Sequence, residues 1–348
     1  MLADGLDYVI GVDTHRDEHV LAVVAGLTGA LVAQLSVAAD GGGYRAALTF
    51  AERFAAGGRV WAVEGSGSYG AGLTRMLAGR GESVVETGRP LRAERRLSGK
   101  DDGLDALQIA RAVLAADTVA QPRSGEHREA LRLLLITRRS AVDVRRHALV
   151  QMRAVIVTAP ETLRAELRHL PLQRLLDRCS RLRKRAAASP DEAAARLALK
   201  TLARRVQAAT SEAAELEREI AIHVRTLAPA LLEEAGVGPI VAAQVIVSWS
   251  HHGRLRSEAA FARLAGVAPV PASSGQTIRY RLSRGGDRQL NRALHTIALH
   301  RRHHDPTTRD YIDRRVAEGK TKREATRLLK RYLARHLYRL LEQQAQMT

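Results

Sequence analysis

The chain has 348 residues, 45% of them hydrophobic, which is enough for two or three domains with cores of their own, so disorder is not the default expectation. A net charge of +18 makes a polyanion the expected partner, nucleic acid foremost, because clustered cations gain affinity by releasing counterions from phosphates. A single cysteine excludes an internal disulfide framework and a cysteine-based zinc site; with no basic leader and no apolar run approaching about 18 residues, a soluble cytoplasmic protein is expected, without a membrane span.

Residues 1–120 alternate short β-rich runs with helical stretches. "YVIGVD", "VLAVVAG" and "ALVAQLSV" read as strands, "GYRAALTFAERFAA" as a helix, "RVWAVE" as a strand, "YGAGLTRMLAGRG" as a helix and "SVVET" as a strand. That order is the order of a ribonuclease H-like (RuvC-like) domain. The short links "THRDEH" and "LTG" predict antiparallel pairing, and the helical crossovers predict parallel pairing after them. This α/β domain holds 12 Lys and Arg against 15 Asp and Glu, and the remainder 43 against 22, so the basic surface belongs to the later parts.

Residues 121–230 read as all-α. A helix is predicted from about Arg128 to Val157, and a second from Pro190 to about Thr226, with Pro160, Pro171 and Pro190 marking the breaks. The second spaces Leu, Val, Ile and Ala as in a helical hairpin or short coiled coil, whose apolar seam is covered by the hairpin itself or by a second subunit. A third domain, 231–348, opens with "EEAGVGPIVAAQVIVSW". Its turn, with Gly236 and Gly238, has the pattern of a helix-hairpin-helix whose following amides hold a phosphate; an ordinary αα-turn with a glycine cap fits as well. Cys179 reads as a packing residue.

Four carboxylates stand out. Asp13 closes the first strand and Glu64 the fourth, which are neighbours in a ribonuclease H-like sheet, while Asp102 and Asp105 share the first turn of a helix in "KDDGLDALQIA". Taken singly, each has an ordinary reading as a turn residue, an N-cap or a charge placed on the helix dipole. Together they form an all-oxygen set suited to Mg²⁺ or Mn²⁺, which would relieve their mutual repulsion.

These motifs resemble the DEDD-motif insertion-sequence transposases, also described as bridge-RNA-guided recombinases. "YVIGVDTHRDEHVLAVV", "VEGSGSYG" and "GKDDGLDALQIAR" are similar to that family's acidic motifs, with Asp102 rather than Asp101 in register. "FARLAGVAPVPASSGQTIRYRLSRGGDRQLNRAL" is similar to its C-terminal motif, in which a serine before glycine is the nucleophile. By register that serine is Ser274, with Ser273 as a rival. The resemblance implies cutting and rejoining of donor and target DNA through a phosphoserine linkage. It also implies a composite site shared between subunits of a dimer or tetramer, and a structured guide RNA. Arg279, Arg281, Arg284 and Arg288 would contact phosphate. The sequence departs from the family pattern at Gln276-Thr277, where a basic residue is common, and at Asp287, where Asn is usual.

Other readings stay open on the residues alone. A metal-dependent Holliday-junction-type endonuclease needs only the carboxylates, and a non-catalytic nucleic-acid-binding protein needs only the charge. A tyrosine recombinase would use Tyr311 with Arg292 and His300 and would leave the carboxylates idle.

Overall fold

The computed structural model describes residues 5–87, 102–183, 185, 188–271, 280–281, 283 and 285–347. The chain divides into two compact units, Met1–Ser124 with Gly253–Leu255, and Gly125–His252 with Arg256–Thr348.

The first unit is a five-stranded sheet between helices. Its strands are β1 (Tyr8–Thr14), β2 (Glu18–Ala25), β3 (Leu31–Ala38), β4 (Arg59–Glu64) and β5 (Val84–Thr87), in the order β3-β2-β1-β4-β5. The close-set links produce antiparallel pairs, β1 with β2 and β2 with β3, and β1–β4 and β4–β5 are parallel, as the sequence predicts. Helices α1 (Gly41–Phe54) and α2 (Ala71–Gly79) cover one face, and α3 (Asp102–Leu114) covers the other. Because β1 and β4 are covered on both sides, they read as continuous apolar runs. Ile10, Val12, Trp61 and Val63 join Phe50, Leu73 and Leu77 on the α1–α2 side. Val9, Val60, Ala62 and Val85 join Ala106, Ile109 and Ala110 on the α3 side.

The approach of α3 is set by Gly11, which lies in the middle of β1 among Val9, Ile10 and Val12. A Cβ built on Gly11 would fall 2.0 Å from the Ala106 carbonyl oxygen and 2.8 Å from the Ala110 nitrogen, so the helix backbone rests directly on the strand. Only a residue without a side chain permits that distance.

At the opposite end of the sheet a polar clasp ties β4 to the turn before β5. Arg59 Nε donates to Glu82 Oε2 at 2.9 Å, Trp61 Nε1 donates to the same oxygen at 2.8 Å, and the ion pair is largely buried, with side chains 16% and 13% exposed. The hydrogen bond from Arg59, with that from Trp61, holds the Glu82 carboxyl below its ordinary value against the opposing effect of burial.

Among the described residues the second unit is helical apart from one two-stranded ribbon. Its longest helices, α4 (Glu126–Thr158) and α7 (Pro190–Leu227), are each about 50 Å or more in length and lie antiparallel. Arg138 in the first half of α4 pairs with Glu217 late in α7 at 3.0 Å, and His127 at the start of α4 meets His223 of α7 with Nδ1 atoms 3.2 Å apart. The hairpin thus buries its own seam through Leu131, Leu135, Ala148 and Met152 against Leu199, Ala203, Val206 and Val224. At its far end α5 (Glu161–Leu167) and α6 (Leu172–Ser180) close the core, and Cys179 is buried there as packing, its thiol pushed up to about 11 mainly by burial. The prolines lie where the sequence predicts, Pro160 and Pro171 capping α5 and α6 and Pro190 opening α7.

The rest of the unit comprises α8 (Ala230–Glu233), α9 (Pro239–Trp249), α10 (Glu258–Leu264), β6 (Val270–Pro271), β7 (Tyr280–Arg281), α11 (Arg288–His304), α12 (Pro306–Ala317) and α13 (Lys322–Met347). The apolar α9 is its axis, buried against α4, α7 and α11.

Two substitutions probe these arrangements. Gly11→Ala overpacks the meeting of β1 and α3, and urea unfolding will show a loss of about 1–3 kcal/mol. Glu82→Gln leaves a mostly buried guanidinium without its counter-charge and costs about 2–4 kcal/mol at neutral pH. Because the Glu82 carboxyl is depressed in the native state, its contribution is complete above the ordinary carboxylate value and is lost as pH falls through the lowered one. The stability gap between wild type and Glu82→Gln therefore narrows in acid, as thermal unfolding at pH 7 and pH 3 will show.

Candidate active site

Strand alternation assigns the acidic residues to a face. Val9 and Gly11 point toward α3, so Asp13 does too; Val60 and Ala62 do the same on β4, and carry Glu64 with them. The β1–β4 ladder runs as far as Val12 with Val63, so Asp13 and Glu64 follow it side by side, and the Thr14 hydroxyl donates to the Glu64 carbonyl at 2.8 Å. Asp13 is only 6% exposed, and His15 Nε2 stands 3.9 Å from its Oδ2.

The direction of α3 brings its acidic turn to the same end. Arg111, in its last turn, donates to the carbonyl of Gly29 in the β2–β3 turn. That turn adjoins Ala25, which pairs with Tyr8 at the start of β1. The C-terminus of α3 therefore lies at the Tyr8 end and its N-terminus at the Asp13 end. Asp105 sits in that first turn; Asp102 is the first helical residue, and its side chain lies outside the described residues. Among the described residues no three His, Cys, Asp or Glu side chains stand close enough to hold a metal ion. As a donor set these positions supply only carboxylate oxygens, which fits a hard divalent cation.

Thr87 is a residue that the sequence pattern does not single out. It pairs with Glu64 at the end of β5, on the α3 face, and its buried hydroxyl oxygen has no hydrogen-bond partner among the described residues. Its place as the last residue of a β-rich run was legible; its register against Glu64 was not.

In the second unit, Ser273, Ser274, Arg279 and Arg284 lie outside the described residues. Val270 pairs with Arg281 and Pro271 with Tyr280, so β6 and β7 form an antiparallel ribbon that bounds the serine segment. At the foot of the ribbon Gly286, with φ of 99°, approaches so closely that a Cβ would fall 2.5 Å from the Leu264 carbonyl oxygen. The Asp287 amide donates to that carbonyl at 2.7 Å.

Asp287, which the sequence pattern marks as a departure, joins two helices. Its Oδ1 caps α11 by accepting from the amides of Gln289 and Leu290, and its Oδ2 accepts from the Ser248 hydroxyl at 2.6 Å. One turn on, Asn291 donates to the Ala265 carbonyl and accepts from Lys330 Nζ at 2.5 Å. Burial lowers the Lys330 ammonium from its ordinary value. Arg288 opens α11 and is exposed.

The turn at Gly236 and Gly238 follows a single helical turn, α8. Gly236 has φ of 81° and packs on His300, which a Cβ would meet at 3.0 Å; Gly238 precedes α9. His300 thus serves as packing for this turn and meets the His304 ring at a tilt of 38° with centroids 4.6 Å apart, while the Tyr311 ring packs against Tyr332 and the guanidinium of Arg315.

The two halves match different family models. Residues 10–159 match a transposase model for the DEDD type of IS110 elements, and residues 228–313 match the transposase IS116/IS110/IS902 family. The chain is 35% identical over 130 residues to an uncharacterized 43.6 kDa protein of insertion element IS110 from Streptomyces coelicolor, covering 37% of this chain and 32% of that protein. It is 32% identical over 162 residues to an uncharacterized 42 kDa protein of insertion element IS900 from Mycobacterium paratuberculosis, covering 45% and 40%. The matched stretches span less than half the length of either relative. The first model takes in the strands that carry Asp13 and Glu64 and the helix of Asp105, and the second takes in the α9 turn, the ribbon and α11, so that both acidic and ribbon segments place the chain in the IS110 family of transposases.

Proposed function

We propose that this protein is the recombinase of an insertion element, with a ribonuclease H-like first domain, which cuts and rejoins double-stranded DNA through a phosphoserine intermediate. The observation that carries its DNA-cutting half is the common end of one sheet face reached by Asp13, Glu64 and the first turn of α3 with Asp105, and the phosphoserine half rests on the resemblance of residues 261–294 to the family's serine motif. Asp102 completes the set from that same turn. A divalent cation, Mg²⁺ or Mn²⁺, would supply charge neutralisation and polarisation of the phosphoryl oxygens when bound to these four carboxylates. Asp13, nearly buried, keeps one carboxylate in a fixed position beside Glu64, which limits the reorganisation needed at the moment of reaction.

Ser274 is the nucleophile. Its Oγ forms a bond to phosphorus as the bond from phosphorus to one sugar oxygen breaks; the serine proton passes to solvent, and the released sugar oxygen gains a proton as a free hydroxyl. Attack by a new hydroxyl reverses the step, so strands rejoin without a nucleotide cofactor. The ribbon gives the serine a braced base, because Gly286, Asp287, Asn291 and Lys330 lock its foot to α10, α11 and α13. Arg279, Arg281, Arg284 and Arg288 bind the backbone near that serine, and the turn at Gly236 and Gly238 offers amides to a further phosphate. The protein works as a homo-oligomer with a structured RNA, held through shape and phosphates by the arginine-rich helices, that selects donor and target.

Incubation of the protein with labelled donor DNA, the RNA transcribed from its element and Mg²⁺, followed by a denaturing gel, tests this reading. Wild type is expected to yield DNA joined to protein. The adduct disappears with Ser274→Ala, with Asp102→Asn and with a chelator, and persists with Ser273→Ala. Cleavage to free ends that survives both serine substitutions would establish a hydrolytic nuclease instead, and binding without cleavage a non-catalytic protein.

A further inference from the structure

The arginines of the second unit fall into two classes. Arg335 and Arg339 of α13 both bind Glu258, and Arg301 of α11 binds Glu234, so their charges are compensated within the fold. Arg256, Arg263 and Arg331 have no such partner among the described residues, and all three line one cleft of about 670 Å³. Among the described residues no carboxylate lines it. Pro269 and Gly286 lie on its wall, and these residues flank the serine-bearing ribbon on its two sides.

Three uncompensated guanidiniums around one concavity repel one another through solvent, and an anion entering between them relieves that repulsion. The surface between them is made largely of alanine, Ala259, Ala260 and Ala268, which leaves room for a sugar-phosphate backbone to come within hydrogen-bond reach. Guanidiniums match phosphate oxygens as paired donors. Among the described residues the cleft offers no aromatic ring on which a base could stack and no side-chain amide to read one, so its chemistry suits backbone and not sequence.

We propose that Arg256, Arg263 and Arg331 form a phosphate cradle that holds the backbone of the DNA strand to be cut at the foot of the β6–β7 ribbon. This rests on the serine-recombinase reading for the identity of the strand, since DNA is the strand that reaches the nucleophile segment. The three are positioning residues: they fix the strand's register, and Ser274 performs the chemistry.

The test is fluorescence anisotropy of a labelled DNA oligonucleotide on the full chain across a KCl series. The variant carries Arg256→Gln, Arg263→Gln and Arg331→Gln together. Its Kd is expected to rise roughly 10- to 100-fold, and the slope of log affinity against log salt to fall by about 2 to 3, near 0.7 to 0.9 for each phosphate no longer neutralised. Arg80→Gln, an exposed arginine of the first unit, is expected to change neither. Adduct formation by the triple variant should weaken at low DNA concentration and recover at saturation. An unchanged slope in a triple variant with wild-type circular dichroism would overturn the proposal, as would a loss seen with an RNA duplex of equal length but not with DNA. The slope is read without cleavage, so failure of the serine chemistry leaves it intact; failure of the cradle leaves the phosphoserine adduct intact.

Discussion

The first unit depends on one steric fact, the absence of a side chain at Gly11. With the Ala106 carbonyl resting where a Cβ would be, α3 lies flat on β1, and its small residues Ala106 and Ala110 complete the packing. The place of the α3 carboxylates at the acidic end follows from that seating. Parallel pairing of β1 with β4 sets Asp13 beside Glu64, and the seated helix delivers its first turn to the same edge. A bulkier strand residue would lift the helix and move two carboxylate positions relative to the two on the sheet.

The second unit solves a related problem with polar groups in place of close packing. A ribbon of two short strands has few interactions of its own, so its geometry is imposed from the base. Gly266 and Gly286, both with positive φ, let the two arms of the segment approach, and Asp287 serves at once as helix cap and as acceptor for Ser248. Burial of Lys330 lowers its basicity, and in that buried position it orients Asn291, which holds the Ala265 carbonyl. Such a network offsets its desolvation where a unique backbone path is needed.

Charge is organised at the same level. The basic excess lies beyond residue 120, yet much of it there is internally answered: Arg138 by Glu217, Arg301 by Glu234, and Arg335 and Arg339 by Glu258. Arg256, Arg263 and Arg331, which have no such partner among the described residues, line one cleft together.

Much of this protein was legible in the sequence. Alternating apolar runs with short links determined a three-strand meander followed by parallel crossovers, because side-chain period and loop length restrict how strands pair. The prolines and the Leu, Ala and Val spacing determined the long helical hairpin, and the carboxylates at strand ends and in "KDDGLDA" determined an acidic candidate site. Local chemistry could not give distances between elements. That Thr87 stands opposite Glu64, that Asp287 answers Ser248, that His300 fills the space left by Gly236, and that Arg256, Arg263 and Arg331 share a cleft were decided by tertiary structure alone. Each joins residues whose proximity is created by packing, and sequence periodicity reports which face a residue lies on but not what that face meets.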